Sequence, residues 1–86
     1  MFLKQYRHSL IYQVIHATSH DEIRRHCDAA VRALRESQLH EYLITIFINK
    51  TIAAFEKHKQ QLDIPAEQQH CMEAQLRLYE LRNNGN

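Results

Sequence analysis

Glycine, proline, tryptophan and cysteine are all scarce in this chain of 86 residues, which holds one glycine, one proline, no tryptophan and two cysteines. Glycine and proline are the strongest breakers of regular structure, so their scarcity excludes a turn-rich β fold and favours long helices. The single glycine, Gly85, lies at the C-terminus, which leaves no Gly-rich loop to cradle a phosphate. Two cysteines, Cys27 and Cys71, are too few for a disulfide scaffold, and a reduced, cytoplasmic setting is expected. An excess of one charge is missing too, because eleven Lys and Arg stand against ten Asp and Glu. Dedicated nucleic-acid binders ordinarily carry surplus basic charge, so nucleic acid is not an expected partner. No apolar run approaches the ~20 residues that cross a bilayer, so no membrane is expected either. The stretch 10–15 is too short, and too interrupted by Gln13, for a secretory signal. The first twenty residues contain no acid, a trait of transit peptides and membrane-surface helices. Here it reads as an ordinary amphipathic first helix.

What is present is helical periodicity. Leu3, Tyr6, Leu10, Val14 and Ala17 recur at three- and four-residue spacing, which predicts a first helix over about 2–17. Ser19 followed by Glu22 fits a capping box opening a second helix over 20–36, with Ile23, Cys27, Ala30, Val31 and Leu34 on one face. Ser37 is the expected N-cap of a third helix over 38–62. Its run Tyr-Leu-Ile-Thr-Ile-Phe-Ile, 42–48, taken alone would suit a buried strand, but the apolar pattern continues through Phe55 without a turn residue. Asp63-Ile64-Pro65 starts a fourth helix that ends near 81 or 82. The expected fold is therefore all-α, a single four-helix domain over 1–82 built as two helical hairpins and completed by self-association, with 83–86 a frayed tail. Residues 26–36 (HCDAAVRALRE) and 70–80 (HCMEAQLRLYE) echo one another at His, Cys, Ala, Leu and Glu, though no standard helical-repeat period fits.

Seven histidines invite a metal hypothesis. His16 and His20 are one helical turn apart but straddle the Thr18-Ser19 break. His26-Cys27 and His70-Cys71 are adjacent pairs that point about 100° apart on a helix. No metal site and no cofactor are expected. Cys27 falls at the centre of an apolar face, where a thiol stays protonated and inert, and the carboxylates are scattered, so no enzyme is expected. Arg24, Arg25, Arg32 and Arg35 form the densest basic patch, a possible phosphate contact, but Asp21, Glu22, Asp28 and Glu36 interrupt it.

The third helix carries the strongest functional signal. Leu39, Tyr42, Leu43, Ile46, Phe47, Ala53 and Ala54 cover one side, while Ile44, Ile48, Ile52 and Phe55 form a second stripe nearly opposite. A helix that is apolar all round must be covered all round. Three short partner helices leave little material for that, so Ile44, Ile48, Ile52 and Phe55 are expected at a subunit or partner interface, most simply a homodimer, with another protein as the alternative occupant. The function expected is a small non-catalytic interaction module: an adaptor, a regulator or a small subunit. The alternatives are a histidine-based metal or pH-responsive sensor and a nucleic-acid-associated regulator using the arginine face.

Overall fold

A computed structural model describes residues 3–83 as four helices: α1 (Leu3–Ile15), α2 (His20–Glu36), α3 (Glu41–Gln61) and α4 (Pro65–Asn83). Among the described residues there is no strand. The run 42–48 is helical because its apolar side chains continue a pattern far longer than a strand. Phe2 and the tail residues 84–86 lie outside the described residues, and Asn83, expected in the tail, closes α4.

The first hairpin pairs α1 antiparallel with α2, marked by the Tyr6 hydroxyl donating to the Ala30 carbonyl at 3.2 Å. The second pairs α3 antiparallel with α4, where Arg82 donates to Asn49 and Gln75 reaches the Ile52 carbonyl and Glu56. The hairpins then stack like with like. α2 runs parallel to α4, with His20 meeting Glu73 at one end and Asp28 meeting Arg77 one turn or more further along both helices. α1 runs parallel to α3: Tyr6 packs on Phe47, while Ile15 and His16 share a cleft with His58.

The connections correct two boundaries. Ser37 does not cap α3; its amide donates to the Ala33 carbonyl, as does its hydroxyl, and both close α2. Gln38 follows with φ 60°, the left-handed conformation that ends a helix. The cap of α3 is His40, whose Nδ1 accepts from the Tyr42 amide at 3.0 Å, so the helix begins at Glu41 rather than 38. α1 stops at Ile15, yet Ala17 just beyond it is still buried.

A single core joins all four helices: Leu10, Ile11, Val14, Ile23, Val31, Phe47, Phe55 and Leu78 are among its largest members. Burying each such side chain contributes about 1.5–3 kcal/mol before conformational entropy is subtracted. The echo between α2 and α4 has a structural meaning. Cys27, Ala30 and Leu34 on one helix, and Cys71, Ala74 and Leu78 on the other, are the core-facing line of each.

Candidate functional site

The expected interface stripe is not at the surface. Ile44, Ile48, Ile52 and Phe55 are no more than 9 % exposed, enclosed by the chain's own helices. The reason is geometric. α3 sits between α4 and α1, and with α2 behind it a short bundle covers a wider arc than three separate partners suggest. Thr51, polar as it is, is also fully buried; its hydroxyl donates to the Phe47 carbonyl at 2.7 Å, which satisfies it inside the helix. The opposite side is divided: Phe47 is in the core, Leu39, Ile46 and Ala54 are half-buried, and Tyr42, Leu43 and Ala53 are exposed.

The arginines of α2 do not converge. Arg32 and Arg35 line a cleft of about 400 Å³ against Arg77 and Leu81 of α4, but Asp28 and Glu36 line it too. Asp28 takes the Arg77 guanidinium in a two-pronged pair, 2.6 and 3.0 Å, and this pairing holds Arg77 above its usual value. Arg35 leans on Glu41 at 3.3 Å, and its Nε is buried without a hydrogen-bond partner. Arg24 faces a separate groove with His20, Glu73 and Glu80, and Arg25 lines neither. The expected patch of Arg24, Arg25, Arg32 and Arg35 is thus a mixed-charge face with carboxylates in its gaps, which is poor ground for a phosphate backbone.

The thiols and the histidines beside them in sequence are equally dispersed. Cys27 and Cys71 are free and fully buried, and burial pushes their pKa values up, to about 12 and about 11. His26 bonds Glu22, His70 bonds the Ile15 carbonyl, and His20 pairs with Glu73. Among the described residues no group of three or more His, Cys, Asp or Glu side chains could hold a metal ion.

Two surfaces remain as candidates, and sequence reading had singled out neither. The first is the outer face of the α3–α4 hairpin. On α4, Met72, Leu76 and Tyr79 stand at i, i+4 and i+7, with Leu76 64 % exposed and the other two just over 40 %. Tyr79 closes a groove with Asn49 and Ala53 of α3, under the Arg82 guanidinium 4.7 Å from its ring. Glu73, Arg77 and Glu80 border this line on the α2 side, and Glu56 and Arg82 on the α3 side.

The second is a cleft of about 380 Å³ between α1 and α3. Ile11 and Ile15 line it, as do Tyr12, His8, His16 and His58. Tyr12 and His16 pack ring against ring, 4.3 Å between centroids. The signal that could have found the first surface is the spacing of Met72, Leu76 and Tyr79, which a mixed apolar and charged helix conceals. Among the described residues no helix is long and apolar enough to cross a membrane. Comparison with known protein families, with curated proteins and with solved structures gives no match to this chain.

Proposed function

We propose that this chain is a non-catalytic helical interaction module that self-associates, docking a second copy of itself on the outer face of the α3–α4 hairpin. The observation that carries this reading is the exposed line Met72, Leu76 and Tyr79, two turns of apolar side chain with the exposed Ala53 of the neighbouring helix beside Tyr79. Covering one such side chain contributes up to about 1.5–3 kcal/mol, a sizeable fraction of what holds a small domain together.

Charge selects the occupant. Glu73, Arg77 and Glu80 on one flank, and Glu56 and Arg82 on the other, interleave both signs. A copy laid antiparallel sets arginine near glutamate, whereas a face of one sign would repel its own copy. Two-fold pairing is also the commonest closed arrangement. The protected thiols suit a reducing compartment such as the cytoplasm, and their burial speaks against a nucleophilic role.

Light scattering tests the proposal directly. The wild-type chain is expected at the mass of a dimer, and Leu76→Glu at the mass of a monomer with helical circular dichroism unchanged. A wild type that stays monomeric at high concentration, or a Leu76→Glu chain that stays dimeric, would defeat it.

A further inference from the structure

We infer that the groove between α1 and α3 is a binding site for an anionic amphiphile: a single apolar chain carrying a carboxylate head. Its charge is of one sign. α1 and the turn after it hold no acid before Asp21, while Lys4 and His8 of the helix and His16 of the turn are exposed. The only acids of α3 turn elsewhere, Glu41 to Arg35 of α2 and Glu56 to Gln75 of α4 and to Lys59. Lys50 and Lys57, both exposed and seven residues apart, share a line on the solvent side of Phe47 and His58, two residues of α3 that meet α1. In a chain whose charges otherwise nearly cancel, this face gathers cations and leaves the carboxylates to the others.

The floor of the groove is apolar. Lys4, His8, Ile11 and Ile15 follow one another along a single side of α1 at i, i+4, i+7 and i+11. The last three line the cleft, whose volume of about 380 Å³ suits a small ligand, and the Tyr12–His16 ring pair forms one wall. An apolar body therefore has Ile11 and Ile15 to lie on. A carboxylate at its end has the imidazole N–H groups of His8, His16 and His58 to bond, with the exposed lysines of the two helices adding positive field from outside the cleft. Concavity favours a single chain over a bilayer: the cleft is walled from both helices, by His8, Tyr12 and Ile15 of α1 and by His58 of α3, and such a recess suits a thin hydrocarbon better than a flat lipid surface. The site lies apart from the α3–α4 docking face and does not depend on self-association.

The test is a titration of the full chain with decanoate below its micelle concentration, read by the methyl resonances of Ile11 and Ile15. Parallel titrations use decyltrimethylammonium, which has the same tail with the opposite charge, and anionic phosphatidylserine vesicles. Saturable shifts of Ile11 and Ile15 are expected with decanoate and not with the cation. The double charge reversal Lys50→Glu/Lys57→Glu, on exposed residues, is expected to weaken decanoate by about tenfold, each exposed charge contributing up to about fivefold. Circular dichroism checks that the variant remains helical. Absence of saturable shifts, equal binding of the cation, full affinity in the double variant, or binding to vesicles without binding to decanoate would each overturn the proposal.

Discussion

At the scale of single residues, the joint between α2 and α3 shows how a helix ends without glycine. Gln38 takes the left-handed conformation that a C-terminal glycine normally supplies, and every residue with a Cβ is strained there. Gln38→Gly is accordingly expected to raise stability by up to about 1 kcal/mol, measured by urea denaturation, despite the added freedom of the unfolded chain. A loss of stability would mean that the Gln38 side chain makes a contact more valuable than the strain it costs. The two thiols give a prediction with a definite sign. Unfolded, a cysteine releases its proton near 9.0; folded, Cys27 and Cys71 hold theirs to about 12 and about 11, chiefly because burial disfavours the thiolate. The native state thus binds more protons between those values, so this contribution is fully present below pH 9 and is lost as pH rises through that window. Thermal melts are expected to fall in temperature above pH 9, and less so in the Cys27→Ala variant relative to its own value at pH 7. The same burial makes both cysteines slow to label with a thiol reagent at neutral pH. Glu22 shifts the other way: the hydrogen bond from Thr18 is the largest of the influences holding it below the usual carboxylate range.

At the scale of elements, the helices have separate local reasons to begin and end. The Ser19 hydroxyl accepts from the Glu22 amide at 3.1 Å, the forward half of the expected capping box. The return half is diverted, since the Glu22 carboxylate bonds Thr18 and His26 instead. Ser37 was read as the opening of α3 because serine is a good N-cap, but the same hydroxyl can bond backward to the Ala33 carbonyl, and there it does. His40 is a weaker sequence signal for a cap, since imidazole is seldom chosen for it. The stripe of α3 is decided by packing. With Ile44, Ile48, Ile52 and Phe55 inside, Ile48→Ala is expected to cost roughly 2–5 kcal/mol of stability, measured by denaturant unfolding, as for other buried isoleucines. A change of assembly with no loss of stability would return the stripe to an interface.

At the scale of the whole molecule, the arrangement of like helices side by side segregates the surface. α2 and α4 meet with alternating charge, as in the Asp28–Arg77 pair, and the cleft between α1 and α3 is lined by histidines and apolar side chains with no carboxylate among them. An even net charge of +1 hides this division. If two copies join through the α3–α4 face, dissociation is linked to unfolding, and the melting temperature is expected to rise with protein concentration in differential scanning calorimetry. The Leu76→Glu chain should show no such dependence, and a concentration-independent wild type would count against the dimer.

Periodicity and the shortage of breakers were enough to determine four helices, their approximate spans and the faces that α1 and α2 bury, because a side chain's position around a helix follows from spacing alone. Cys27, Val31 and Leu34 lie inside where that spacing put them. For α3, spacing identified two apolar sides, and with each as apolar as the other the stripe expected at an interface was the one that lies in the core. Only the placement of α1 and α4 around it turned Ile44, Ile48, Ile52 and Phe55 inward and left Tyr42 and Leu43 outside. The convergence of His8, His16 and His58 on one cleft was equally invisible, because His58 arrives from a helix more than forty residues away. Residues far apart in the chain become neighbours only through the packing of helices, and that packing is set by the shared core.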